Sequence, residues 1–290
     1  MFCNAVWRRL GLAALLPLLW PYGAQAQTRP SLPAGVEAEW DIAYAAHPET
    51  RLDVYRPAGA AKRRPAVIVI HGGGWRGGTK EAVVPSFCVP YLEKGFVVFN
   101  VEYRLAKAAK APAAVEDSIE AAQWVFKNAG RYGVDKKKII VTGGSAGGHL
   151  ALMVGMTPKS AKLGKTPDVA AVVNFYGITD VGDQLAGPNQ RAYAVEWLPE
   201  QEGRFELARR VSPMSYVRKG LPPVQTVHGD SDKTVPYEHG AKLTKALREA
   251  GADAELLTVP GGGHGFPPEK LKTIYPEVFA FLARRGIVGN

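Results

Sequence analysis

A chain of 290 residues has room for one large α/β domain or two small ones, and 46% hydrophobic with 22% charged residues is ordinary for a globular core and does not indicate disorder. The formal net charge of +9 suits anionic surroundings such as an acidic polysaccharide or a cell envelope, and equally serves plain solubility. No basic run is interleaved with aromatics, so no nucleic-acid partner is expected.

The first segment reads as a signal peptide. Arg8 and Arg9 precede the apolar run 10–20, and Ala24-Gln25-Ala26 forms a small-x-small cleavage site. A leader of residues 1–26 is expected, with a mature domain of residues 27–290 in the periplasm or secreted. The run falls short of the about 20 residues of a membrane span. No stable membrane insertion is expected after cleavage; an uncleaved anchor is the alternative. Export route stays open, although the arginine pair is similar to a twin-arginine signal. Removing the leader takes away those two arginines and no acids, lowering the charge from +9 to +7. It also removes Cys3, leaving Cys88 without an intramolecular disulfide partner.

Strands and helices then alternate, which argues for a mostly parallel sheet. Val36–Ala45 and Arg51–Arg56 form an opening antiparallel pair. Pro65–Ile70 is a continuous apolar run, suited to a strand buried on both faces. Glu81–Lys94 is compatible with a helix shortened or kinked by Pro85 and Pro90. Gly95–Val101 is a buried strand, and Ala114–Ala129 carries helical apolar spacing. Lys138–Thr142 is a strand, Ser145–Val154 a small-residue helix and Ala170–Tyr176 a further strand. Ile178–Val217 is long, polar and turn-rich, an insertion above the sheet. Pro223–His228 returns to strand, Glu238–Ala250 is a helix closed by Gly251, and strand Ala254–Val259 and helix Pro268–Arg285 follow.

Three loops carry chemistry. Gly143-Gly144-Ser145-Ala146-Gly147 matches G-x-S-x-G between an apolar strand and an apolar helix. The tight turn strains the serine backbone and lifts its hydroxyl clear of the sheet, making Ser145 the candidate nucleophile. A phosphate cradle would need Lys-Ser or Lys-Thr here, and neither is present. His71-Gly72-Gly73-Gly74-Trp75 follows the Pro65–Ile70 strand as an oxyanion-hole loop does. Its donors are the N–H groups of Gly73, Gly74 and Ala146, with the dominant glycine left open. His71 reads as structural. Trp75 is either a wall of the substrate site or packing.

The remaining members come after Ser145 in the order acid, then base. His264 lies in the glycine-rich loop 260–266 after the last strand, and is the candidate base. Asp230 and Asp232 compete as its acid. Ser145, the two acids and His264 all fall at the C-terminal edge of the strands, where open α/β sheets place their sites. Of the other histidines, His47 and His239 are expected exposed, His149 packed in the elbow helix, and His228 ordering the acid loop. No cluster has metal-ligand spacing and no G-x-G-x-x-G fingerprint stands, so neither metal nor cofactor is expected.

These residues resemble the α/β-hydrolase esterases, specifically the BD-FAE group of acetyl and feruloyl esterases, and more distantly the hormone-sensitive-lipase group. The loop 71–80, the elbow 143–151 and His228-Gly229-Asp230-Ser231-Asp232-Lys233-Thr234-Val235-Pro236 carry the likeness, which covers about residues 38–285. The resemblance implies an eight-stranded, mostly parallel α/β-hydrolase sheet flanked by helices. It favours Asp232 as the triad acid, because the acid there stands three positions after the glycine of His-Gly, before Val-Pro. It also implies hydrolysis of small-molecule or carbohydrate-linked carboxylic esters. A large N-terminal helical cap, frequent in the lipase-like group, has little room here, so the insertion 178–217 must cover the site. Tyr193 and Trp197 either line that site or pack in the core. The alternatives are a prolyl-oligopeptidase-type peptidase, an arylformamidase-like amide hydrolase and a non-catalytic binding protein on the same scaffold. Oligomeric state is not legible.

Overall fold

Eight strands join in one sheet: β1 (Val36–Ala43), β2 (Arg51–Pro57), β3 (Arg64–Ile70), β4 (Val97–Val101), β5 (Val134–Gly144), β6 (Ala171–Phe175), β7 (Val224–Gly229) and β8 (Ala254–Val259). The computed structural model describes Met1, residues 29–59 and residues 63–289. The expected leader and Cys3 therefore lie, apart from Met1, outside the described residues. The strand order is β1-β2-β4-β3-β5-β6-β7-β8. β2 runs antiparallel to both its neighbours, and the other strands pair in parallel. This is the α/β-hydrolase arrangement.

The pleat sends alternate residues to opposite faces. Ala66, Ile68 and Ile70 of β3 enter one apolar layer, and Val67 and Val69 the other. The first layer is closed by α2 (Ala113–Asn128), α3 (Ala146–Met156) and α6 (Glu238–Glu249), the second by α1 (Val89–Glu93) and α7 (Pro268–Ala283). On α2 the buried Val115, Ile119, Ala122 and Val125 form one stripe at helical spacing. Each of the valines and the isoleucine taken from water contributes roughly 1.5–3 kcal/mol. α6 ends where Gly251 adopts φ 75°, as a glycine after a helix terminus does. Cys88 is a free thiol buried in the second layer, and burial pushes its pKa well up.

β3 sits between β4 and β5, so the order in which strands are added to the sheet reverses here. The segment after β3 packs on one face and α3 on the other. Crevices open at such switch points. The register pairs Ile70 with Gly143, which brings the loop after β3 alongside the turn after β5.

Some elements differ from expectation. The Glu81–Lys94 segment is a 3-10 turn (Glu81–Val83), a π turn (Val84–Cys88) and then the short α1, because Pro85 and Pro90 remove the N–H donors of a continuous helix. β5 starts earlier, at Val134, with a register shift opposite Arg64 and Ala66. The stretch after β6 holds two short helices, α4 (Ala192–Trp197) and α5 (Arg204–Arg210), that its polar composition concealed.

The loop from His71 to Lys80 is fastened at both ends. His71 Nε2 donates to Glu102 Oε1 at 2.6 Å, and its ring stacks on Tyr103. Lys80, 4% exposed, places Nζ 2.9 Å from Asp41 Oδ1 and 3.0 Å from Asp53 Oδ2, and also pairs with Glu81. Burial alone would lower the pKa of this ammonium; its three carboxylate partners overturn that and raise it. Burial raises the carboxyl of Asp53, which depends on Lys80 for its countercharge. Lys80→Met is expected to cost about 3–5 kcal/mol in urea unfolding, because it strands Asp53 as an uncompensated buried charge. Adding Asp53→Asn should recover a large part. A loss below about 1 kcal/mol in the single variant would show that the pair does not pin the loop.

Candidate active site

Ser145 adopts φ 58° and ψ −123°, a conformation disfavoured for any residue with a Cβ and worth roughly 1–3 kcal/mol of strain. The surroundings impose it. Ser145 N–H donates to the Phe175 carbonyl at 2.9 Å, and the Ser145 carbonyl accepts from His149 N–H at 3.0 Å. A Cβ at Gly147 would overlap the Ile70 carbonyl oxygen, so only glycine lets α3 start this close to β3.

The hydroxyl of Ser145 lies 2.9 Å from His264 Nε2, and His264 Nδ1 lies 2.8 Å from Asp232 Oδ2. With Nδ1 donating to the carboxylate, Nε2 is left as the acceptor for the serine proton. Asp232 is buried, and its Oδ1 accepts from Thr234 N–H at 2.8 Å and Val235 N–H at 3.0 Å. Burial pushes this carboxyl up. His228, His264 and the Thr234 N–H overcome that and hold it well below the usual carboxylate range. His228 is fully buried; its Nε2–H donates to the Val235 carbonyl and sits 3.5 Å from Asp232 Oδ2. Asp230 is exposed and accepts from Gly261 N–H at 2.7 Å, tying the acid loop to the histidine loop. Of the two competing acids, Asp232 reaches the imidazole.

Gly73 and Gly74 adopt φ 113° and 60°. A Cβ at Gly74 would come 2.7 Å from Tyr193 Cβ. The N–H groups of Gly73, Gly74 and Ala146 have no acceptor among the described residues. A cleft of about 470 Å³ opens beside them. Its floor includes Ser145 and His264, and Val83, Phe87, Tyr176 and Tyr193 give it apolar walls.

Trp75 requires a correction as a substrate-site residue. It is fully buried, stacked on Trp197 at 4.2 Å between ring centroids, and does not line the cleft. Its indole N–H donates to His149 Nδ1 at 3.1 Å, and His149 Nε2–H donates to the Val211 carbonyl at 2.7 Å. These three rings clamp the oxyanion loop, the elbow helix and the segment after β6. Trp197 is likewise core, whereas Tyr193 lines the cleft and donates its hydroxyl to Gln184 Oε1 at 2.7 Å. Tyr193 is the one cleft-lining side chain contributed by the insertion, which therefore covers less of the site than expected. His239, expected exposed, is buried: it accepts from Thr179 N–H at 3.1 Å and faces Asp183. His47 is half-buried rather than exposed, and its Nδ1 accepts from Glu49 N–H.

Composition did not reveal Phe87 or Tyr176. Tyr176 had a positional signal, since it is the first residue after a parallel strand at the C-terminal edge. Phe87 sits in an irregular turn and had none. Among the described residues no group of three or more His, Cys, Asp or Glu side chains is arranged to hold a metal ion, and no helix is long and apolar enough to cross a membrane.

Comparison with known proteins places these features in context. The BD-FAE family model matches residues 52–247. Esterase LipC of Mycobacterium tuberculosis is 29% identical over 239 residues, covering 78% of this chain, which spans only 59% of that relative's length. A truncated carbohydrate esterase from gut microbiota superimposes with a TM-score of 0.76 at 27% identity, covering 87% of this chain and 98% of that one. Thermogutta terrifontis esterase 2, phosphorylated by paraoxon, gives 0.73 at 28% identity, covering 90% and 98%.

Burial pushes the pKa of His149 down to about 4, against a partial lift from its bond to Val211. The unfolded chain takes up this proton from about pH 6.5, and the folded protein refuses it down to about pH 4. Stability is therefore full above pH 6.5 and falls with acidification, by about 2 kcal/mol between pH 7 and pH 5. Burial shifts His239 in the same direction. Urea midpoints at pH 7 and pH 5 test this. His149→Gln should flatten the dependence, and an unchanged slope would show that another group carries it.

Proposed function

The chain belongs to the BD-FAE family, matched over residues 52–247, and from that premise we propose that it is a carboxylic ester hydrolase acting through Ser145, His264 and Asp232. The observation that carries the proposal is the continuous hydrogen-bond chain Asp232–His264–Ser145 facing three unengaged backbone N–H groups.

In this mechanism Ser145 Oγ attacks the ester carbonyl while His264 Nε2 takes its proton. Asp232, kept ionised by its partners, stabilises the resulting imidazolium and fixes the tautomer. The tetrahedral oxyanion is received by the N–H groups of Gly73, Gly74 and Ala146; one such donor is worth about 2.7–4 kcal/mol. His264 then protonates the departing alcohol, and water admitted to the cleft releases the acid from the acyl-serine by the same proton relay.

The cleft, of about 470 Å³ and bounded by aromatic rings, supports acetyl, feruloyl or other small acyl groups. The likeness to a carbohydrate esterase supports a carbohydrate-linked alcohol. The leader-like residues 1–26 support work outside the cytoplasm, in the periplasm or secreted.

Ser145→Ala is expected to lower kcat by several orders of magnitude while the protein stays folded. Paraoxon should label a single tryptic peptide, the one holding Ser145; a label elsewhere overturns the mechanism. Asp232→Asn should reduce kcat by about 10⁴-fold through loss of the correct tautomer, and Asp230→Asn far less. The reverse ranking would reassign the acid. A panel of p-nitrophenyl esters, methyl ferulate, acetylated xylan and aminoacyl amides tests substrate class, and turnover of the amides alone would overturn the esterase proposal.

A further inference from the structure

The proposed mechanism uses none of the polar atoms on the cleft walls, yet one of them is oddly placed. Tyr176 follows directly on β6 and is 8% exposed. Its backbone takes φ 39°, unusual for a bulky residue, and is held there by donation of its N–H to the Val227 carbonyl at 2.8 Å. Strained residues that persist are over-determined by their surroundings and concentrate at ligand sites. The ring packs edge-on to His264 with centroids 5.0 Å apart, and against Phe266 at 5.2 Å.

The hydroxyl reaches the elbow itself. It lies 2.8 Å from where a Cβ on Gly144 would be, so it occupies space made available by the glycine before the nucleophile. It borders the cleft and has no hydrogen-bond partner among the described residues. Open to the cleft, it is free to bond an oxygen that enters there. Burial, reinforced by the charge of Asp232, pushes its pKa up, so it remains a proton donor at every working pH.

We propose that Tyr176 is a specificity-determining residue whose hydroxyl binds a second oxygen on the leaving alcohol, close to the ester. The inference rests on the esterase mechanism above. His264 must protonate the leaving oxygen, so the alcohol half of the ester lies on the His264 side of Ser145. Tyr176 packs against that same imidazole. A donor beside the leaving oxygen meets the neighbouring hydroxyl of a polyol or sugar ester, and finds nothing to bind in a simple alkyl ester. A site built to hydrogen-bond a substrate oxygen discriminates against the analogue lacking it, since the site's polar group is then left unpaired.

Ethylene glycol monoacetate and propyl acetate separate these cases, because they match in length and differ in a terminal hydroxyl against a methyl. The wild-type enzyme is expected to favour the glycol ester in kcat/KM. Tyr176→Phe, which keeps the ring against His264, should reduce that preference by about tenfold, the value of one neutral hydrogen bond. The effect should fall mainly on the glycol ester, whereas a merely structural role would depress both substrates equally. A wild-type enzyme without preference, or a variant that changes both substrates in parallel, overturns the assignment while leaving esterase chemistry standing. Hydrolysis of neither ester, together with no paraoxon adduct on Ser145, overturns both.

Discussion

The site depends on one close approach. The turn from β5 into α3 lies so near the end of β3 that a Cβ at Gly143 or Gly147 would overlap the Ile70 carbonyl oxygen. Because these strands pair in parallel with Ile70 opposite Gly143, the nucleophile turn and the glycine loop leave the sheet side by side. The positive φ of Ser145 belongs to this tight turn, which the close approach leaves no room to relax. Rigid surroundings make the strain tolerable: the layers on both faces of β3 and β5 are buried, and neither strand can relax without opening them.

Around this contact, loops that carry charge or chemistry are fastened to different elements. The Lys80 cluster joins the oxyanion loop to the antiparallel strands β1 and β2, and Glu102 holds His71 from the segment after β4. Trp75 and His149 fasten the same loop to the elbow helix and to the stretch before β7. Asp230 joins the acid and histidine loops. Preorganisation here is therefore shared: the distances of 2.8 and 2.9 Å along Asp232–His264–Ser145 are set by three loops on three strands, each tied to its neighbours by fixed contacts.

Much of this was legible in the sequence because the relevant constraints are local. A continuous apolar run such as 65–70 can only be a doubly buried strand in this context, and alternation with helices gives the parallel sheet. The glycine spacing around Ser145 and the position of His264 after the last strand place both on one edge. Local patterns could not decide what depends on packing between distant segments. Asp230 and Asp232 are equivalent by chain position alone; the family pattern favours Asp232, and the fold turns its carboxylate to within 2.8 Å of the imidazole. Trp75 and His239 sit in polar stretches, and their burial comes from partners 122 and 60 residues away, Trp197 and Thr179. The aromatic walls of the cleft come from three separate segments, none with its own motif.

The buried thiol of Cys88 gains a use from its position. It sits with no exposed surface in the layer under α1 and α7, where burial keeps it in the unreactive protonated form. A thiol reagent meets it only when that layer opens. Its modification rate is thus a clock for the opening of that layer, read at a native side chain.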